Sequence, residues 1–225
     1  MKLKDYTLLV GSGPTREWID PVRYISNASS GKTGWFLAVE GLTKFKKVIY
    51  ITGPSDSKFR TVSGAVNIQV ETTDEMCREI LNALDNKMIL IMAAAPADFT
   101  PLKSEIEKIK KDSEETTIQL KKTEDILMNV SEKAKVLHDF ISIGFAAETE
   151  NLIDYAKLKL KKKNLNFICA NTVYKNQIGF GDNDNAWIII GKNGKQIQMG
   201  PAPKSVLAAE LISFLDSHIN SSPEI

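Results

Sequence analysis

The sequence predicts an α/β fold: one mostly parallel sheet with helices on both faces. Three observations carry this. Strand-like apolar runs end in glycines or small residues, as in Leu8-Leu9-Val10-Gly11. Helical patterns lie between most of these runs, and continuous apolar strands alternating with helices indicate parallel strands buried on both sides. The length, 225 residues with 43% hydrophobic, suits one α/β domain over 1–225 with a sizeable core.

The elements follow in order. Strands are expected at 6–10, 48–52, 66–70, 88–94, 140–145 and 165–170, each a short run of apolar residues. Helices are expected at 32–43, 73–85, 123–137 and 152–163. Asp20-Pro21-Val22-Arg23 breaks any helix, because proline fixes its own φ and restrains its predecessor. Arg23 and Asn27 are therefore expected on a loop. Residues 102–122 are rich in Lys and Glu, with alternation in Thr116-Thr117-Ile118-Gln119-Leu120, and read as an extended arm or hairpin outside the sheet. A late hairpin at 186–191 and 196–199 turns on Asn193-Gly194, a strong turn signal. A helix over about 203–218 closes the chain.

Composition excludes several classes. A net charge of +1 argues against a general nucleic-acid or membrane-surface binder. No apolar run reaches the length of a membrane span, and residues 1–5 carry no signal-peptide core. Cys77 and Cys169 stand far apart in no metal spacing, which fits a reducing cytoplasm and packed, unreactive thiols. His138 and His218 suggest neither a metal pair nor a triad.

The chemistry centres on two glycine turns. Gly11 and Gly13 end the first strand; Ser29-Ser30-Gly31-Lys32-Thr33-Gly34 opens the first helix. Glycines there let the backbone approach a ligand, and a helix N-terminus favours an anion. The stretch matches neither G-x-G-x-x-G nor the Walker pattern, and the same glycines also suit a plain tight turn. Arg23 offers a rigid fork for phosphate or carboxylate, and Asn27 both donor and acceptor. Asp98 follows Ala94 and Ala95 at the end of a strand, the edge where ligands of open α/β sheets sit. Phe145 and Glu148 stand in a second strand-ending turn, Gly144-Phe145-Ala146-Ala147-Glu148-Thr149. Lys157, Lys159, Lys161, Lys162 and Lys163 crowd one helix, a pattern that a solvated face also produces.

These segments resemble a known family. GPTREWIDPVRYISNASSGKTG, AAAPADF, KIKK, GFAAET, KLKKKNLNFICAN and GFGDNDNA stand in the order found in phosphopantothenoylcysteine synthetases, the ligases of coenzyme A biosynthesis, over nearly the whole chain. The resemblance implies a Rossmann-like fold and a homodimer in which residues 102–122 take part. It implies that Ala94, Ala95 and Asp98 bind phosphopantothenate, with Arg23 reaching the neighbour's substrate and Asn27 orienting the carboxylate. Gly13, Ser29, Gly31 and Gly34 would hold a nucleoside triphosphate, and Phe145, Asn171, Ile178, Gly179, Phe180 and Gly181 the nucleoside. Lys159-Leu160-Lys161-Lys162 matches a K-x-K-K motif whose first lysine is catalytic, which points to Lys159. Pro96 replaces a common valine; Asp182 and Asn183 replace the serine and aspartate of the nucleotide loop.

The implied reaction consumes 4′-phosphopantothenate, L-cysteine and a nucleotide, expected to be CTP with Mg²⁺. The length leaves no room for the decarboxylase that many bacterial relatives carry, so a separate decarboxylase is expected. The rivals are a Rossmann-type NAD(P)-dependent reductase, which lacks its glycine fingerprint here, and a non-catalytic nucleotide-binding module.

Overall fold

The computed structural model describes residues 2–110, 115–148, 150–172 and 185–221. Strand β1 (Thr7–Ser12) leads into a hairpin of β2 (Glu17–Asp20) and β3 (Arg23–Ile25). Helix α1 (Lys32–Gly41), β4 (Lys47–Thr52), β5 (Val66–Gln69), α2 (Thr73–Ala83) and β6 (Met88–Met92) follow. After β7 (Phe99–Pro101) and β8 (Leu120–Lys122) come α3 (Ile126–Lys133), β9 (Phe140–Glu148), α4 (Leu152–Lys162) and β10 (Phe167–Thr172). The chain ends in β11 (Asn185–Gly191), β12 (Gln196–Ala202) and α5 (Lys204–Ser221).

The central sheet has eight strands in the order β12-β11-β10-β9-β6-β1-β4-β5. From β5 to β10 all neighbours are parallel; β11 and β12 extend the edge antiparallel, as the late hairpin predicts. Numbering only the parallel strands along the chain, their order across the sheet is 3-2-1-4-5-6, the dinucleotide-fold arrangement. Its direction reverses between β1 and β6, so a crevice opens beyond their carboxyl ends.

Alternation along the strands builds two cores. Leu8, Val10, Ile89 and Ile91 face one side, packing with Leu37 and Ala38 of α1 and Leu207, Leu211 and Leu215 of α5. Leu9, Ile51 and Leu90 face the other, against Met76 and Ile80 of α2, Val130 of α3 and Leu160 of α4. Period-two alternation thus puts helices on both faces. Helix α2 starts on a capping box: Thr72 Oγ1 accepts from Glu75 N at 3.2 Å, and Glu75 Oε2 accepts from Thr72 N at 3.4 Å.

Two expectations need correction. The Arg23 stretch is a strand-paired hairpin, not an open loop: Trp18 pairs with Tyr24 and Asp20 with Arg23. Pro21 ends helices but suits a turn, and Asp20 Oδ1 accepts from Val22 N and Arg23 N at 2.9 and 3.0 Å in an Asx turn. Likewise, residues 145–148 continue a strand. Phe145, Ala146, Ala147 and Glu148 find parallel partners in Cys169, Ala170, Asn171 and Thr172 of β10.

The 102–122 arm stands outside the sheet on a short antiparallel stem of β7 and β8, where Phe99 pairs with Lys122 and Pro101 with Leu120. A buried polar network anchors the stem. Thr15 Oγ1 accepts from Ala97 N at 2.9 Å and lies 2.8 Å from Thr73 Oγ1; Thr73 Oγ1 and N both donate to Glu17 Oε1. Thr123 Oγ1 donates to Ala97 O at 2.7 Å.

Candidate active site

A cavity of about 740 Å³ opens at the carboxyl edge of the sheet. One wall is the glycine turn, Asn27 to Thr33. Met92 to Phe99, leaving β6, form the floor. The opposite wall combines Lys122 to Met128, Phe145 and Ala147 of β9, Asn171 of β10, Lys159 and Lys162 of α4, and Lys163 directly after it. Asn185, Trp187 and Lys204 close the far end.

The sheet explains this placement. Strand β6 stops opposite Gly144, so Phe145 and Ala147 project past it and face open space. Phe145 stands edge-on to buried Trp187, ring centres 5.2 Å apart, which fixes an aromatic wall. Ala94 and Ala95 keep the floor low, and Ala95 N donates to Gly13 O at 2.9 Å.

Close packing brings the glycine turn in. Gly31 precedes α1 with φ +77°, and a Cβ on it would meet Ser55 Cβ at 2.8 Å. Ser12 Oγ donates to Gly31 O at 3.0 Å from below. Gly31 has no side chain to cap α1, and Ser30 Oγ accepts from Lys32 N at 3.4 Å; Lys32 and Thr33 of the first turn line the cavity. Gly13 and Gly34 do not line the cavity. They support it from behind: a Cβ on Gly34 would come within 2.3 Å of Ser12 Oγ, and Gly13 packs on Thr52 and Ser55.

Asn27 spans the mouth. Its Nδ2 donates to Ala95 O at 3.2 Å and Pro96 O at 2.9 Å, so both amide hydrogens are engaged and only Oδ1 is left over. Asp98 is exposed at the rim, its main chain tied to Thr123 N at 3.0 Å. Ser29 and Asn171 line the cavity. Ile178, Gly179, Phe180 and Gly181 lie outside the described residues. Arg23 is not in this cavity; it is clasped to Asp20 on the β2–β3 hairpin.

The lysine cluster divides sharply. Lys157 and Lys161 are exposed and outside the cavity. Lys159 is half-buried and donates to Phe145 O at 2.8 Å. Burial, then repulsion from Lys163, lowers its pKa, partly offset by Glu148, Asp125 and Asp98. Lys163 pairs with Asp125 at 2.9 Å with 18% of its side chain exposed. Residues four apart share a helix face, so Lys159 and Lys163 present two cations to one space. A second K-x-K-K run starts in the sequence at Lys108, on the arm; Lys108 is exposed and does not line the cavity.

Sequence reasoning missed the Thr123–Asp125 wall by starting a helix at 123. Asp125 in fact caps α3, accepting from Met128 N at 3.3 Å. An aspartate directly before Ile126-Leu127 was the available signal. Lys204, buried, was missed for want of any local motif; Asn185, also buried, stands in the GFGDNDNA segment but was not singled out there. Cys77 and Cys169 are buried away from the cavity, and burial raises both thiols.

Residues 3–218 match the family described as DNA/pantothenate metabolism flavoprotein C-terminal domain. The chain belongs to this family. A relative from Haemophilus influenzae, the coenzyme A biosynthesis bifunctional protein CoaBC, is 39% identical over 94% of this chain and 51% of its own length. The chain spans about half the length of the curated relatives it matches, those from Haemophilus influenzae and Bacillus subtilis among them. The crystal structure of the C-terminal domain of a coenzyme A biosynthesis bifunctional protein CoaBC superposes with a TM-score of 0.77 at 29% identity, covering 98% of both chains. A Cab2 H337A mutant in complex with phosphopantothenate-cysteine shares the fold, with a TM-score of 0.69 at 16% identity over 96% of this chain and 88% of that one.

Proposed function

We propose that this chain joins 4′-phosphopantothenate to L-cysteine through an acyl-nucleotidylate formed from CTP. The observation that carries the reading is that the glycine turn at the α1 N-terminus and the Lys159–Lys163 pair of α4 share one cavity. Two separate anion-binding devices face a floor of small alanines and the Asp98 rim. Membership of the family and the phosphopantothenate-cysteine held by Cab2 support the same reading.

A carboxylate is a poor acyl donor at neutral pH. In the first step its oxygen attacks the α-phosphorus; the Pα–O bond to the β-phosphate breaks and pyrophosphate leaves. In the second step the cysteine amine attacks the acyl carbon, loses a proton, and the acyl C–O bond breaks to release CMP. Negative charge shifts onto phosphate oxygens first and onto the carbonyl oxygen second, so fixed N–H groups and ammonium ions are the fitting tools. Ser29, Gly31 and the α1 amides cradle the triphosphate, Lys159 stabilises the shifting charge, and Phe145 and Asn171 bound the nucleoside. Asn27 orients the carboxylate by exchanging one of its two carbonyl bonds for the substrate.

Among the described residues no group of three His, Cys, Asp or Glu side chains is placed to hold a metal ion. Mg²⁺ is accordingly assigned to the nucleotide itself, held by phosphate oxygens and water. A second copy of the chain is the assigned partner. Val22, Phe99, Leu102 and Ile106 expose apolar surface on the two hairpins, Ile106 at 92%, and Arg23 would act from there on the neighbouring site. Among the described residues no helix is long and apolar enough to cross a membrane; the cytoplasm is the compartment this metabolism implies, with a decarboxylase as the product's consumer.

The strand order equally suits a nicotinamide-dependent reductase. Against it, the β2–β3 hairpin separates β1 from α1, and Arg16 stands where the third fingerprint glycine belongs. One incubation decides: with CTP, phosphopantothenate and cysteine the ligase forms pyrophosphate and CMP, whereas a reductase consumes NAD(P)H.

A further inference from the structure

Asp20 lies buried at the turn of the β2–β3 hairpin, with 1% of its surface exposed. Its carboxylate gathers donors from two distant stretches. Oδ1 accepts from Val22 N and Arg23 N. Oδ2 accepts from Arg23 Nε at 2.9 Å, from Arg23 Nη2, and from Ile109 N at 3.1 Å. Arg23 Nη2 also donates to Ile109 O at 2.9 Å. Both main-chain groups of Ile109 are therefore held by one ion pair. A further bond, Glu105 N to Ile19 O at 2.9 Å, lays the arm along β2.

The hairpin turn by itself needs only Oδ1, and a neutral asparagine completes an Asx turn equally well. The negative charge and the second oxygen are taken up by a guanidinium and by an amide 89 residues away. Charge-assisted, forked bonds of this kind fix orientation as well as position. Arg23 has its Nε edge pinned, while Nη1 makes no bond within the described residues. Lys108 and Lys110 flank the pinned Ile109 and are held beside it.

We propose that Asp20 is a positioning residue, a clasp that presets Arg23 and the arm around Ile109 for the phosphate-bearing acid substrate. This rests on the ligase reading above. Without the clasp, Arg23 and the arm would be ordered only at the moment of binding, and that ordering weakens affinity.

Asp20→Asn keeps the size and the turn bonds but removes the charge. Arg23→Lys keeps a charge but removes the bridge to Ile109 O. Hydrogen exchange at Ile109 N in the ligand-free full chain, with steady-state kinetics on the same preparations, tests the clasp. In both variants Ile109 should exchange about tenfold faster while β6 amides keep their protection. In Asp20→Asn the KM for phosphopantothenate should rise about tenfold, with kcat and the KM for CTP within about twofold. Faster exchange with unchanged KM would show a purely structural ion pair and overturn the proposal. Unchanged exchange in both variants would overturn it as well. A wild-type chain inactive in ligation would sink the functional reading and the substrate half of this proposal, while the exchange data would still report on the clasp.

Discussion

The Lys159 ammonium donates to the Phe145 carbonyl at 2.8 Å, tying the basic face of α4 to the strand that walls the cavity. Burial first, and Lys163 second, lower its pKa from the ordinary 10.5. A lysine so lowered sheds its proton, and with it the hold on phosphate proposed above, at a lower pH than a surface lysine. CTP affinity should therefore fall on the alkaline side before pH 10.5 is reached. Lys159→Arg, charged throughout, should lose that alkaline fall. Stability runs the other way: the unfolded chain binds this proton more readily, so the Lys159 contribution grows as pH rises through the window between the two pKa values. Isothermal titration of CTP across pH, for both proteins, checks the first claim.

Lys163 resembles its exposed neighbours in sequence but lies on the cavity wall, paired with Asp125. Lys159→Gln and Lys163→Gln should both weaken CTP binding, with Lys159→Gln losing the larger share of turnover. Lys161→Gln should leave activity unchanged and stability within about 0.5 kcal/mol, as for an ordinary surface substitution. Equal, small losses at all three positions would show that the α4 cations form a solvated face. The same assay on Lys108→Gln tells whether the arm's K-x-K-K copy also reaches the reacting groups.

Asn27→Asp places carboxylate oxygens against Ala95 O and Pro96 O, where two N–H donors stood. Asn27 is exposed, so water limits the stability loss, but turnover should fall roughly 10²–10³-fold. If Arg23 serves the neighbouring site, mixing Asn27→Ala with Arg23→Ala protein should restore part of the activity. No recovery despite demonstrated subunit exchange would confine Arg23 to its own chain.

Gly34→Ala tests the packing beneath the glycine turn. Inside a helix, alanine is favoured over glycine by about 1 kcal/mol. Here the new Cβ would meet Ser12 Oγ at 2.3 Å and Ser12 Cβ at 2.5 Å. Overpacking costs typically about 1–3 kcal/mol, so the clash should win and lower the melting temperature. Ser12→Gly in the same chain removes the clashing side chain and should recover much of the loss.

Much of the fold was legible because the strands are buried on both faces and read as unbroken apolar runs. The β2–β3 hairpin was not: its strands are short, and Pro21 suppresses a helix without revealing which turn replaces it. Likewise Gly144 to Glu148 looked like a turn because small residues cluster there. The pairing with β10 that makes them a strand is a long-range fact. Asn27, Ser29 and Gly31 from one motif, and Ala95, Phe145 and Lys159 from three others, converge on one cavity. Lys163, Asp125 and Lys204 were hidden because their place depends on helix phase and on the packing of elements distant in sequence.

Isotope tracing gives the most direct test of the acyl-nucleotidylate. Phosphopantothenate labelled with ¹⁸O in its carboxylate should, with CTP and cysteine, yield CMP carrying one labelled oxygen. That atom becomes the bridge between acyl carbon and α-phosphorus, and leaves with the nucleotide when the amine attacks. Label appearing in orthophosphate, with CDP as the other product, would mean an acyl phosphate. Amide formation with no label in any phosphate would contradict activation at the carboxylate altogether.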